Sequence, residues 1–88
     1  MSYDYQKERA GLFTEDGVRM LVGMRDRAKY LIMESGAARA QEIMAKSSGS
    51  SWQMMACIDY LVETGELREI TQGSHVWGQH RVFVDARS

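Results

Sequence analysis

Proline is absent from all 88 residues, and cysteine occurs once, as Cys57. A lone cysteine excludes an intramolecular disulfide and any metal site built from several thiolates. Histidine is almost as scarce. Only His75 and His80 occur, and a zinc centre would need both to converge with Cys57 and a fourth ligand. No excess of positive charge is present either: 11 lysines and arginines stand against 12 acids, a formal net charge of −1. Strongly basic nucleic-acid binders look different, so contact with a polyanion has to rest on a local patch. No apolar run is long enough to span a bilayer. The first residues, Met1-Ser-Tyr-Asp-Tyr-Gln-Lys-Glu8, hold no apolar stretch of a signal peptide, and the reducing cytoplasm is the expected compartment.

What is there is an ordinary globular mixture, 44% hydrophobic and 26% charged, enough for one small core. Residues 1 to 13 scatter Tyr3, Tyr5, Leu12 and Phe13 among charges with no clean period and read as a partly disordered arm with room for a short helical turn. Thr14-Glu15-Asp16 opens the first long helix. A threonine oxygen can cap it, and two acids complement the positive end of its dipole. Val18, Leu21, Met24 or Arg25, Ala28, Leu31 and Ile32 form its inward stripe, and Ser35-Gly36 ends it. A short second helix is expected over 37–46, with Ala40, Ile43 and Met44 inward.

The turn Ser47-Ser-Gly-Ser50 leads into a third helix from about Ser51 to Thr64, capped by Ser50 or Ser51. Met54, Ile58, Leu61 and Val62 supply its apolar stripe, and Gly65 sits where a left-handed residue would close it. Two extended runs follow, Glu66–Thr71 and His80–Val84, joined by a loop with Gly73 and Gly78. They read as an antiparallel hairpin. Residues 85 to 88 are a tail.

The order helix, short helix, turn, helix, hairpin resembles the winged-helix (winged helix-turn-helix) family. The carriers are the spacing Ile58-x-x-Leu61-x-x-x-Gly65-x-Leu67 and the hairpin after it, over residues 14 to 84. The expected fold is therefore α+β and mainly α: a three-helix winged helix-turn-helix with a C-terminal two-stranded hairpin. In size and style the chain also resembles small bacterial or prophage-encoded regulators. The family implies a DNA-binding transcriptional regulator, acting as a homodimer, whose third helix enters the major groove while the hairpin touches the backbone. Carried over by position, the groove-facing residues would be Ser48, Ser50, Ser51, Trp52, Gln53, Met55, Ala56 and Asp59. Basic support would come from Arg39, Lys46, Arg68 and Arg81, with His75 and His80 on the wing.

That set matches a reader poorly. Base edges favour arginine, lysine, asparagine and glutamine, and only Gln53 is of that kind. No lysine or arginine lies between Ser47 and Leu67, whereas Asp59, Glu63 and Glu66 do, so the helix forgoes phosphate neutralisation. A second expectation follows: a non-enzymatic adaptor or inhibitor on the same scaffold, contacting a protein through Trp77 in the loop and an adaptable methionine surface at Met55. No nucleophile motif, paired acid or phosphate loop accompanies Cys57, the histidines or the loop glycines, so neither catalysis nor a cofactor is expected.

Overall fold

The computed structural model describes residues 3–45, 47, 49–70 and 80–86. Its elements in chain order are α1 (Tyr5–Arg9), a 3-10 turn (Ala10–Phe13), α2 (Glu15–Ser35), β1 (Ala38–Arg39), α3 (Ala40–Met44), α4 (Ser51–Glu63), β2 (Leu67–Glu69) and β3 (Val82–Asp85). The chain is thus α+β and mainly helical. Among the described residues, no helix is long and apolar enough to cross a membrane.

The boundaries follow local chemistry. The Thr14 hydroxyl accepts the Gly17 N–H at 3.0 Å and starts α2. Gly36, at φ +87°, ends it by donating its N–H to the Ile32 carbonyl at 2.7 Å. Ser50 caps α4, its oxygen accepting the Gln53 N–H at 3.4 Å. Gly65, at φ +80°, turns the chain out of α4 into β2.

The sheet corrects the expected two-stranded hairpin: among the described residues it has three antiparallel strands in the order β1-β3-β2. β2 and β3 pair as expected, with Arg68 opposite Val84. The added strand is β1, which sets Ala38 opposite Phe83 and Arg39 opposite Val82. Those two residues were assigned to the second helix, which shortens accordingly to five residues. Ala38 is buried, and the strand brings Phe83 into the floor of the core.

The N-terminal arm is a second correction. From Tyr5 to Phe13 it is helical and docked, with Leu12 fully buried. Backbone packs on backbone at this point. A Cβ on Gly17 would lie 2.3 Å from the Gly11 carbonyl oxygen, so only glycine allows α2 to meet the 3-10 turn. The contact also fixes the rotation of α2. With Gly17, Met24 and Ala28 inward, Val18 stands about 100° round the helix and is exposed, outside the stripe it was assigned to.

Candidate interaction surfaces

The core is centred on α4. Met54, Met55, Ala56, Cys57 and Ile58 are buried in succession. A helical turn holds 3.6 residues, so five consecutive buried positions leave no open face at that level. One side packs on α2 and α3, another on β2, and the remaining side on α1 and the 3-10 turn. Met55, 8% exposed, and Ala56, fully buried, therefore cannot face a groove or a partner. The apolar run Met54–Ile58 was the available signal. It is continuous where an amphipathic helix would alternate.

The acids of α4 are also accounted for internally. Asp59 accepts the Tyr3 hydroxyl at 2.6 Å through one oxygen and Arg81 Nη2 at 2.7 Å through the other. Arg81 in turn holds Glu69 with two bonds, from Nε at 3.0 Å and Nη2 at 2.8 Å, and its guanidinium lies 5.2 Å from the centroid of the Phe83 ring. Only 19% of the Arg81 side chain is exposed. Arg81 is thus a tie between β3, β2 and α4, and its donors point at carboxylates of its own chain. The half-buried Tyr3 phenol is pushed well above its usual range, first by burial and then by its hydrogen bond to Asp59.

Glu63 has a similar role at the other end of the helix. It accepts Arg9 Nη2 at 2.7 Å, Arg9 Nε at 3.1 Å and the Tyr5 hydroxyl at 2.9 Å. Arg9 and then Tyr5 hold its carboxyl below the usual carboxylate range. Burial, followed by the bond to Glu63, pushes Tyr5 up to about 12. The Arg9 guanidinium also faces the rings of Phe13 and Tyr60, which meet edge to face. Glu66 pairs with Lys29 Nζ at 3.3 Å, and the same ammonium reaches Asp85 at 3.2 Å. The acidity read along 59–66 is therefore neutralised inside the fold and is not a negative outer face.

Other positions proposed for DNA contact are spread apart. Arg39 is exposed beside α3, where its backbone N–H is held by the Glu42 carboxylate at 3.1 Å. Arg68 is exposed on β2, and His80 is exposed ahead of β3. Ser50 and Ser51 are exposed at the start of α4. Gln53 is half-buried, its amide donating to the Gly11 carbonyl at 3.5 Å. Lys46, Ser48, His75 and Trp77 lie outside the described residues.

An open cleft of about 530 Å³ runs between the start of α2 and the turn before α4, lined by Asp16, Arg19, Met20, Gly23, Ser47, Gly49 and Gln53. Among the described lining residues the cation is Arg19, which bonds Asp16 at 3.1 Å and Glu15 at 3.5 Å. Burial pushes the Cys57 thiol up to about 11, which keeps it protonated at neutral pH. Among the described residues, no group of three metal-ligating side chains converges.

Sequence reasoning missed the outer face of α2. Val18, Val22, Tyr30 and Met33 are all exposed there, and Met33 is 74% open. Spacing carries the signal, because these residues share one arc of the helix with Arg25 and Asp26. Compared with family models, curated proteins and solved structures, the chain matches none.

Proposed function

We propose that the chain is a non-enzymatic protein-interaction module on a winged-helix scaffold, an adaptor or inhibitor type of protein. One observation carries the reading: the helix that would enter a DNA groove is enclosed by its own chain. A reading helix needs a solvated face of hydrogen-bonding side chains. α4 instead buries Met54 through Ile58, and the residues flanking that run bind Tyr3, Tyr5, Arg9 and Arg81. Exposed apolar side chains at Phe13, Val18, Val22, Tyr30, Met33 and Ile70 supply the kind of surface that protein partners cover.

A second reading, sequence-tolerant DNA binding by the same scaffold, has specific support of its own. The element order α2, β1, α3, α4, β2, β3 with β3 central is compatible with a winged helix, and Arg39 and Arg68 are exposed cations. In that case contact would run through phosphates, with the serines at the start of α4 assisting.

Titration of isotope-labelled protein with random duplex DNA at low salt separates the two. The protein-module reading expects the amides of α4 to stay in place and any weak retardation to be indifferent to R39A and R68A. Salt-dependent binding that drops with both substitutions would replace it with the second reading.

A further inference from the structure

The last turn of α4 carries a complete seat for an arginine side chain. Glu63 Oε1 accepts Arg9 Nε at 3.1 Å and Glu63 Oε2 accepts Arg9 Nη2 at 2.7 Å. A planar guanidinium makes such a paired contact and an ammonium does not. Two rings flank the same group. Its central carbon lies 5.2 Å from the centroid of Phe13 and 5.5 Å from that of Tyr60.

The seat and its occupant are held differently. Tyr60 and Glu63 belong to α4, and Phe13 follows Leu12, which is fully buried, and Gly11, whose carbonyl packs against Gly17. The core fixes these three walls. Arg9 comes from α1, none of whose five residues is buried. So short a helix does not persist on its own. Exposed Ala10 separates it from the anchored turn, so α1 can lift away and leave Phe13, Tyr60 and Glu63 in place. The seat is also open outward, with 57% of Phe13 and 40% of the Glu63 side chain exposed. Arg81 combines carboxylates with a ring in the same way, but only 19% of its side chain is exposed, so its seat is closed to a partner.

We infer that Glu63, Tyr60 and Phe13 form a recognition site for an arginine side chain of a protein partner, filled in the free chain by Arg9 as an internal substitute. The inference deepens the protein-module reading and rests on it for the partner being a protein segment. α1 is then an autoinhibitory strap, because a partner's arginine enters only as Arg9 leaves. The site lies beyond the run Met54–Ile58, which stays enclosed.

Titration of isotope-labelled full-length protein with the capped tripeptide glycyl-arginyl-glycine, up to ~50 mM at low salt and followed by NMR, tests it. In R9A the ring signals of Phe13 and Tyr60 and the side-chain signals of Glu63 are expected to shift and saturate. The parent should bind at least ~5-fold more weakly, since its own arginine competes at a high effective concentration. The lysine tripeptide should bind R9A at least ~5-fold more weakly than the arginine one, and adding E63Q to R9A should weaken the arginine peptide as much. Unmoved amides of Met54–Ile58 report that R9A is folded; should it not be, R9Q carries the same test. No saturation in the folded variant, equal affinity for variant and parent, a lysine peptide as good as the arginine one, or an E63Q without effect would each overturn the site. Those failures leave the protein-module reading standing on its other exposed surfaces. Salt-dependent duplex binding through Arg39 and Arg68 would remove that reading while the arginine titration still succeeded.

Discussion

α2 and α4 are the two longest helices, and they use apolar residues in opposite ways. α4 places its apolar residues in one unbroken run, Met54 to Ile58, and is buried all round at that level. α2 spreads its apolar residues over two faces, one closing the core through Met24 and Ala28, the other open to solvent through Val18, Val22 and Met33. Burial is the common requirement, but α4 meets it within one chain and α2 does not. A helix that is apolar all round needs cover on every side, and here α1 and the 3-10 turn complete the cover. On the proposed reading, this difference decides where an interaction surface would lie. The helix with the more apolar run is the worse candidate, because the fold has already used it.

The largest expected effect breaks the comparison most directly. Met55→Asp puts a carboxylate at a position only 8% exposed and should cost about 4 kcal/mol or more, enough to unfold much of a domain this small. Val22→Asp, on the open face of α2, should change stability by no more than about 0.5 kcal/mol. Thermal unfolding followed by circular dichroism measures both. Similar losses for the two variants would mean that α4 is not enclosed or that α2 is not open.

Next comes Arg81, which the comparison places with the interior. Arg81→Ala leaves Asp59 and Glu69 part-buried without their cation and should destabilise by about 2 kcal/mol. A strand residue facing solvent would cost almost nothing. Denaturant titration decides between the two outcomes, and duplex affinity measured on the same variant should not change.

The parts of this architecture legible in the sequence were those that local chemistry determines. Thr14, Gly36, Ser50 and Gly65 each act on backbone groups within four residues, and each was found at its helix end. The pairing of β2 with β3 was legible from β-branched runs on either side of a glycine-bearing loop. What escaped was non-local. β1 is two residues long and exists only because Phe83 and Val82 accept it from more than 40 positions away. The arm lacks a period of its own, and its order depends on Asp59 and Glu63, more than 50 positions downstream. Asp59 and Arg81 read as a repelling acid and a phosphate-binding cation because nothing local shows that they bind each other. Val18 went to the wrong face because Gly17, not an apolar residue, makes the closest approach.

The smallest effect concerns the cover itself. The clasp from α1 to α4 is an exposed one, Glu63 receiving Arg9 and Tyr5, and surface ion pairs contribute little. Its pH dependence can nevertheless be worked out from the two directions. Glu63 titrates lower in the folded chain than its ordinary 4.5, so its contribution is fully present above that value and fades as pH falls through the depressed one. Tyr5 is raised from 10.0 to about 12, so its contribution holds below 10.0 and disappears as pH climbs through about 12. Between these limits α1 should stay docked. Outside them its amides should exchange faster, while those of Met54 to Ile58 remain protected by the apolar packing beneath. Glu63→Gln should abolish the acid limb and move the alkaline one to lower pH, because Glu63 contributes to the raised Tyr5 value. Simultaneous loss of protection in α1 and in the centre of α4 on acidification would show that the cover and the buried helix are a single cooperative unit, and the contrast between a covered α4 and an open α2 would then extend to the whole fold.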